Sequence, residues 1–416
     1  MALRDAGSLK DGMIHFMNLA STSAWGLMPW PPQPDLMFWI ALTLVCAALL
    51  GHLVHSLFAL PRVLGYGAMG VALAALGPGE AGLQGTERLI VDLALAVLLF
   101  ELGSRVPLGW LRANRVLLLT SLLESALGYG AVFAVLRIFG FTLEVSLAGA
   151  AVLGTSAGAL SGRISAELRS AGQVTDRMLV LSALNTLYSV LLLKLLGGSL
   201  HISNGDWIRG LSEPIYTFAG AVVVAALLAR AVNSLLRRAD LREENPVLMI
   251  LGLLLLSLTV ARMFNLSTLL VPLLGGVLLR NGSERPCIWP RHFGTAGGAL
   301  VLLMFVVVGA TWSWAAMVAG GLVAAALLTA RFGAKALVLV SLARFSGIRM
   351  RQGAALALCL SPISATVLVL QAELQNGQPA VAAQLAPVVL AALGITILLG
   401  PILILLGLRW AKESHS

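Results

Sequence analysis

The chain has 416 residues, of which 58% are hydrophobic and 11% charged, with a formal net charge of +9. Soluble domains carry about 25% charged residues, so this composition excludes a sizeable soluble domain and implies an all-α polytopic membrane protein. The basic residues sit in short stretches between apolar runs, a membrane-topology pattern that excludes a basic face for nucleic acid.

Residues 1–34 are mixed in character and end in WPPQP. They lack a basic stretch followed by an apolar core, so they do not read as a signal peptide but as a loose or interfacial lead-in. From 35 to 410, apolar runs long enough to cross hydrocarbon recur, and 411–416 remain as a cytoplasmic tail. Thirteen transmembrane spans are predicted, at about 36–57, 62–77, 87–104, 115–138, 144–163, 177–197, 214–231, 246–262, 265–280, 294–311, 314–342, 352–373 and 380–408.

Alternate loops collect the arginines: Arg105, Arg112 and Arg115; Arg163, Arg169 and Arg177; Arg230, Arg237, Arg238 and Arg242; Arg280, Arg285 and Arg291; Arg344, Arg349 and Arg351. The intervening loops hold few, among them Arg88, Arg137, Arg209 and Arg262. A miscounted span would break this alternation. It predicts cytoplasmic basic loops, an outside N-terminus and an inside C-terminus in the cell's inner (plasma) membrane. Trp39, Trp207, Trp289, Trp312 and Trp410 lie near predicted span ends, as interfacial anchors do. Cys46, Cys287 and Cys359 have no CxxC spacing, which suggests neither a metal site nor a disulfide framework.

Two spans carry interruptions. The fifth, LAGAAVLGTSAGALSGRI (147–164), has glycines, Thr155, Ser156 and Ser161 in its middle. The twelfth, GAALALCLSPISATVLVL (353–370), has Ser361, Pro362 and Ser364 there. Proline removes a helix donor and clashes with the preceding turn. For either span alone, close packing through small residues is a sufficient reading. A matched pair, one in each half of the chain, points to a transporter built from inverted repeats with broken helices at the binding site.

Intramembrane polar groups follow. Glu124 lies well inside the fourth span, and a buried carboxyl can exchange protons near neutral pH; the competing reading is a structural hydrogen bond to a neighbouring helix. Asp92 and Glu101, nearer the ends of the third span, read as interfacial. Lys194, near the outer end of the sixth, reads as snorkelling, and His52 and His55 as solvated or interfacial. Arg331 and Lys335 sit one turn apart in the eleventh span. A basic residue at mid-span costs roughly 2.5–3.5 kcal/mol on insertion scales, so each needs a partner, water or an interface to snorkel to. In the sixth span, LSALNTLYSVLLLKLL (181–196) places Ser182, Asn185, Thr186 and Ser189 on one helix face.

These stretches together resemble the monovalent cation:proton antiporter superfamily, in the branch that includes glutathione-regulated potassium efflux proteins, with its sodium/proton exchanger-like membrane domain. The resemblance covers about 36–408 and rests on PRVLGYGAMGVALAALGPG (61–79), LALAVLLFELGSRV (93–106), GTSAGAL (154–160), FNLSTLLVPLLGGVLLRN (264–281), LLMFVVVGA (302–310) and AKALVLVSLARFSG (334–347). It implies that the fifth and twelfth spans are crossed, discontinuous helices, that the sixth binds the ion, and that Lys335 falls on a lysine carried before the second broken helix. The ion-binding residues it implies are Asn185 and Thr186 with Thr155, Ser156, Ser361 and Ser364; Glu124 and Lys335 are the candidates for proton coupling.

The resemblance also marks departures. Where the family has an acid in the sixth span, this chain has Thr186 after Asn185. Where the family has Gly-Leu-Glu after the third span, it has Gly103-Ser104-Arg105. Threonine and asparagine offer oxygen ligands but do not release a proton near neutral pH. Three repairs are open: Glu124 titrates, alone or paired with Lys335; Lys335 itself carries the proton; or coupling is lost. The expected function is therefore exchange of a monovalent cation (Na⁺ or K⁺) or another small solute for protons by alternating access. The alternative is a uniporter, an anion or organic-solute carrier, or a non-transporting sensor or partner subunit. The family resemblance implies a homodimer through scaffold helices. The chain stops soon after the last span, so the nucleotide-binding regulatory domain of some relatives is not expected. No HExxH, Ser/Lys pair or nucleotide motif supports an enzyme, and no cofactor is implied.

Overall fold

In the computed structural model, the described residues are 36–76, 86–203, 207–238, 244–282 and 293–414. The predicted lead-in of 1–34, Cys287, Trp289, Arg242, Arg285 and Arg291 lie outside them. The chain divides into two units, Met1–Cys46 and Ala47–Ser416. The described part of the first is the opening of helix α1 (Leu36–Phe58), where Phe38 and Trp39 pair edge to face at 5.6 Å.

Helices occupy all thirteen predicted segments. Without water in hydrocarbon, each backbone polar group must be satisfied inside its own segment, and helices do this. After α1 come α2 (Arg62–Leu76), α3 (Thr86–Ser104), α4 (Leu108–Ala113), α5 (Arg115–Ile138), α6 (Leu143–Leu153), α7 (Gly158–Glu167), α8 (Gln173–Ser203), α9 (Trp207–Arg238) and α10 (Asn245–Met263). Then follow α11 (Leu270–Asn281), α12 (Phe293–Ala310), α13 (Trp314–Ser341), α14 (Met350–Leu360), α15 (Thr366–Gly377) and α16 (Pro379–Ala411). Among the described residues, eight helices are long and apolar enough to cross a membrane, counting Leu143–Glu167 as one, and shorter apolar helices lie beside them. The protein is a multi-pass membrane protein.

In the unit Ala47–Ser416 the helices sort into two groups. One pairs α2 with α12 and α3 with α11, and α11 with α9. Glycines let these backbones touch. A Cβ added to Gly103 would lie 2.1 Å from Leu273 O, and one added to Gly276 would lie 2.1 Å from Phe100 O. Gly70 and Gly309 do the same for α2 and α12, with Val306 O at 2.2 Å and Gly67 O at 2.5 Å. Gly276→Val is therefore expected to force α3 and α11 apart and cost about 3 kcal/mol or more. A thermal melt of the purified protein in detergent should show the midpoint falling by several degrees; an unchanged midpoint would mean that this contact does not hold the two helices together.

The second group repeats one order twice: α5, the broken pair α6/α7, then α8; and α13, the broken pair α14/α15, then α16. Helices α5 and α13 pack closely on each other. Glu413, in the predicted tail, folds back and accepts from Val174 N and Thr175 N at 2.8 Å each, capping the start of α8.

Two charges sit differently from their sequence reading. Asp92 is buried rather than interfacial, because Arg262 of α10 and Arg88 both pair with it. Lys194 does not snorkel free: it pairs with Glu373 of α15 at 3.5 Å, beside a cleft of about 110 Å³ also lined by Glu144 and Glu213.

Candidate functional site at the helix crossing

Both breaks fall where the sequence weakens the helix. The fifth span opens at residues 154–157, and the twelfth at 361–365, around Pro362. The openings touch: Ala157 N donates to Pro362 O at 3.0 Å, and Ser156 Oγ donates to Leu360 O at 3.3 Å. Gly154 is required at the first opening, because a Cβ there would lie 2.0 Å from the Tyr129 ring of α5. Tyr129 in turn places its hydroxyl 3.1 Å from Asn185 O and 3.0 Å from Ser189 Oγ, tying α5 to α8.

Three charged side chains enter this crossing, all 0% exposed: Glu124 from α5, and Arg331 and Lys335 from successive turns of α13. Lys335 Nζ donates to Glu124 Oε1, and to Ser156 Oγ at 2.8 Å. Glu124 Oε2 accepts from Ser125 Oγ at 3.1 Å, and Ser125 Oγ accepts from Asn185 Nδ2 at 3.0 Å. Asn185 Oδ1 accepts from Ser156 N at 2.6 Å, which closes the ring of contacts. Buried charges survive only when paired and hydrogen-bonded, and this ring supplies both. It is a buried ion pair lined by neutral hydroxyl and amide groups.

The predicted site residues divide. Glu124, Lys335, Ser156 and Asn185 come together. Thr155 and Ser361 contribute main-chain carbonyls, both bound by Arg331; the Thr155 hydroxyl donates to Val152 O at 3.3 Å. Thr186 is buried, but its hydroxyl donates to Ser182 O of its own helix at 3.0 Å. Ser364 lines a gap of about 20 Å³ with Ala159, Leu160 and Phe305, between the second break and α12, and its Oγ accepts from Thr366 N at 3.3 Å.

Sequence reasoning left three members without a role. Arg331 carries only a positional signal in the sequence, although it lies four residues before Lys335 and so on the same helix face. Ser125 adjoins Glu124, and Tyr129 follows Ser125 by four; both were legible from that spacing.

Two solved structures of a sodium proton antiporter from Methanocaldococcus jannaschii, MjNhaP1, share this fold. The structure at pH 8 superposes with a TM-score of 0.63 at 15% identity, covering 90% of this chain and 95% of that one. The structure from an electron-microscopy map gives 0.66 at 16% identity, covering 91% and 97%. No curated protein sequence matches the chain. The model of the transmembrane sodium/hydrogen exchanger family matches residues 40–406, so the chain belongs to that family and is a membrane cation:proton antiporter.

Proposed function

We propose that the protein exchanges Na⁺ or K⁺ for protons at the Glu124–Lys335 pair. The observation that supports this most is the direct, fully buried contact between the two side chains at the helix crossing. In the proton-loaded state, the ammonium of Lys335 holds the Glu124 carboxylate and Ser156 Oγ. When Lys335 releases its proton, the neutral amine no longer competes for the carboxylate. A dehydrated cation then takes Glu124, with Ser125 Oγ supplying a further oxygen and Asn185 Nδ2 holding that hydroxyl in place.

The charge count favours one proton per cation. The crossing holds one carboxylate, one ammonium and the guanidinium of Arg331, which stays charged. Replacing the Lys335 proton by a monovalent cation leaves the total unchanged. Protonating Glu124 as well would leave two buried cations without an anion, a costly state.

Alternating access is read as movement of the group holding the crossing against the glycine-packed group of α2, α3, α11 and α12. The same reading places the basic loops and C-terminus in the cytoplasm, the protein in the inner (plasma) membrane, and a homodimer contact on the glycine-packed helices.

The test is flux in proteoliposomes. With an acidic lumen, external Na⁺ or K⁺ should collapse the pH gradient, and imposing a membrane potential should leave the rate unchanged. No cation-dependent collapse between about pH 6 and pH 9, the interval between ordinary carboxylate and lysine titration, would overturn the reading.

A further inference from the structure

The broken helices present a second group of oxygens that the transport reading does not use. Helices α6 and α14 both end at the crossing, and the last carbonyls of a helix have no partner within it. Their aligned dipoles make these ends partly negative. Carbonyls exposed by unwound helices are the usual ligands of a dehydrated cation in such folds.

Here those oxygens are already held. Arg331 Nη1 donates to Ser361 O, and Nη2 donates to Thr155 O, to Gly154 O at 3.3 Å and to Ser156 Oγ at 3.3 Å. One planar fork thus binds carbonyls from both breaks, which a point-like ammonium does not do. Lys335, one turn further along α13, is turned instead to Glu124.

We infer that Arg331 is a built-in cation that fills the carbonyl site of the crossing and confines the exchanged ion to the Glu124 and Ser125 oxygens. It is a positioning residue that sets where, and so which, ion binds. The inference rests on the proposed function for the identity of the exchange site, but its own test reads binding as well as transport.

Arg331→Ala empties the carbonyl site. The melting midpoint of the purified variant should then rise with Na⁺ and with a few millimolar guanidinium, whereas the wild type should show no guanidinium response at about that concentration. In proteoliposomes its exchange should fall about tenfold, and guanidinium should restore most of the loss. A variant that matches the wild type in exchange and in its response to both ions overturns the inference. So does a folded variant whose lost activity guanidinium leaves untouched.

If Arg331→Ala does not fold, Arg331→Lys keeps the charge but not the fork. It should raise the KM for Na⁺ several-fold, and an unchanged KM overturns the inference. A wild type without exchange would sink the proposed function alone, because the guanidinium response of the variant is read by melting.

Discussion

Glu124→Gln is expected to reduce proton-driven cation exchange at least about 100-fold. The substitution removes the one carboxylate at the crossing, leaving Arg331 and Lys335 as buried cations with no anion beside them. Breaking a buried pair from one side costs about 3–5 kcal/mol, against about 1.4 kcal/mol for each tenfold. Part of that cost falls on folding, so the single variant should also melt at lower temperature. The double variant Glu124→Gln/Lys335→Gln separates the two effects. It removes both charges of the pair and should recover stability, yet stay without exchange. Recovery of exchange in the double variant would place the ion elsewhere. So would a Glu124→Gln protein that still collapses a pH gradient when Na⁺ or K⁺ is added.

Lys335→Gln should act differently. Glu124 keeps its charge, now beside Arg331 alone, and its carboxylate is open to a cation at every pH. Cation affinity should hold or rise, while its dependence on pH flattens. For the wild type the sign runs the other way: at acid pH the charged ammonium occupies Glu124 and excludes the cation, and affinity rises as pH rises through the titration of Lys335. Flux driven by a pH gradient should fall about 100-fold in the variant, because no lysine proton is available to trade. A variant that keeps both the pH dependence and the gradient-driven flux would remove Lys335 from the coupling.

The arrangement behind these expectations was partly legible in the sequence. Pro362 and the glycine-rich stretch at 154–158 mark the two breaks, since both residue types weaken a helix where they stand. Glu124 and Lys335 announce themselves by cost, as charges far from any predicted span end. Their contact has no local signal, because the two lie 211 residues apart in the chain. Arg331 was harder to place. Its partners are main-chain carbonyls, and a carbonyl leaves no trace in residue identity.

Asp92 and Lys194 show the same limit. Each lies near a span end and looks interfacial, but finds a partner about 170 residues or more away in the chain, Arg262 and Glu373 respectively. The family match covers residues 40–406, nearly the whole pattern of spans. The Thr186 hydroxyl donates to Ser182 O of its own helix, and the carboxylate at the crossing comes from α5.

The most direct test counts protons. Purified protein in weakly buffered detergent solution, near the midpoint of its pH response, is titrated with Na⁺ while the released H⁺ is followed with a dye. The wild type should release close to one proton for each cation bound, Lys335→Gln none, and Glu124→Gln should bind no cation at all. Sodium binding to the wild type without proton release, or equal release from Lys335→Gln, would contradict the account.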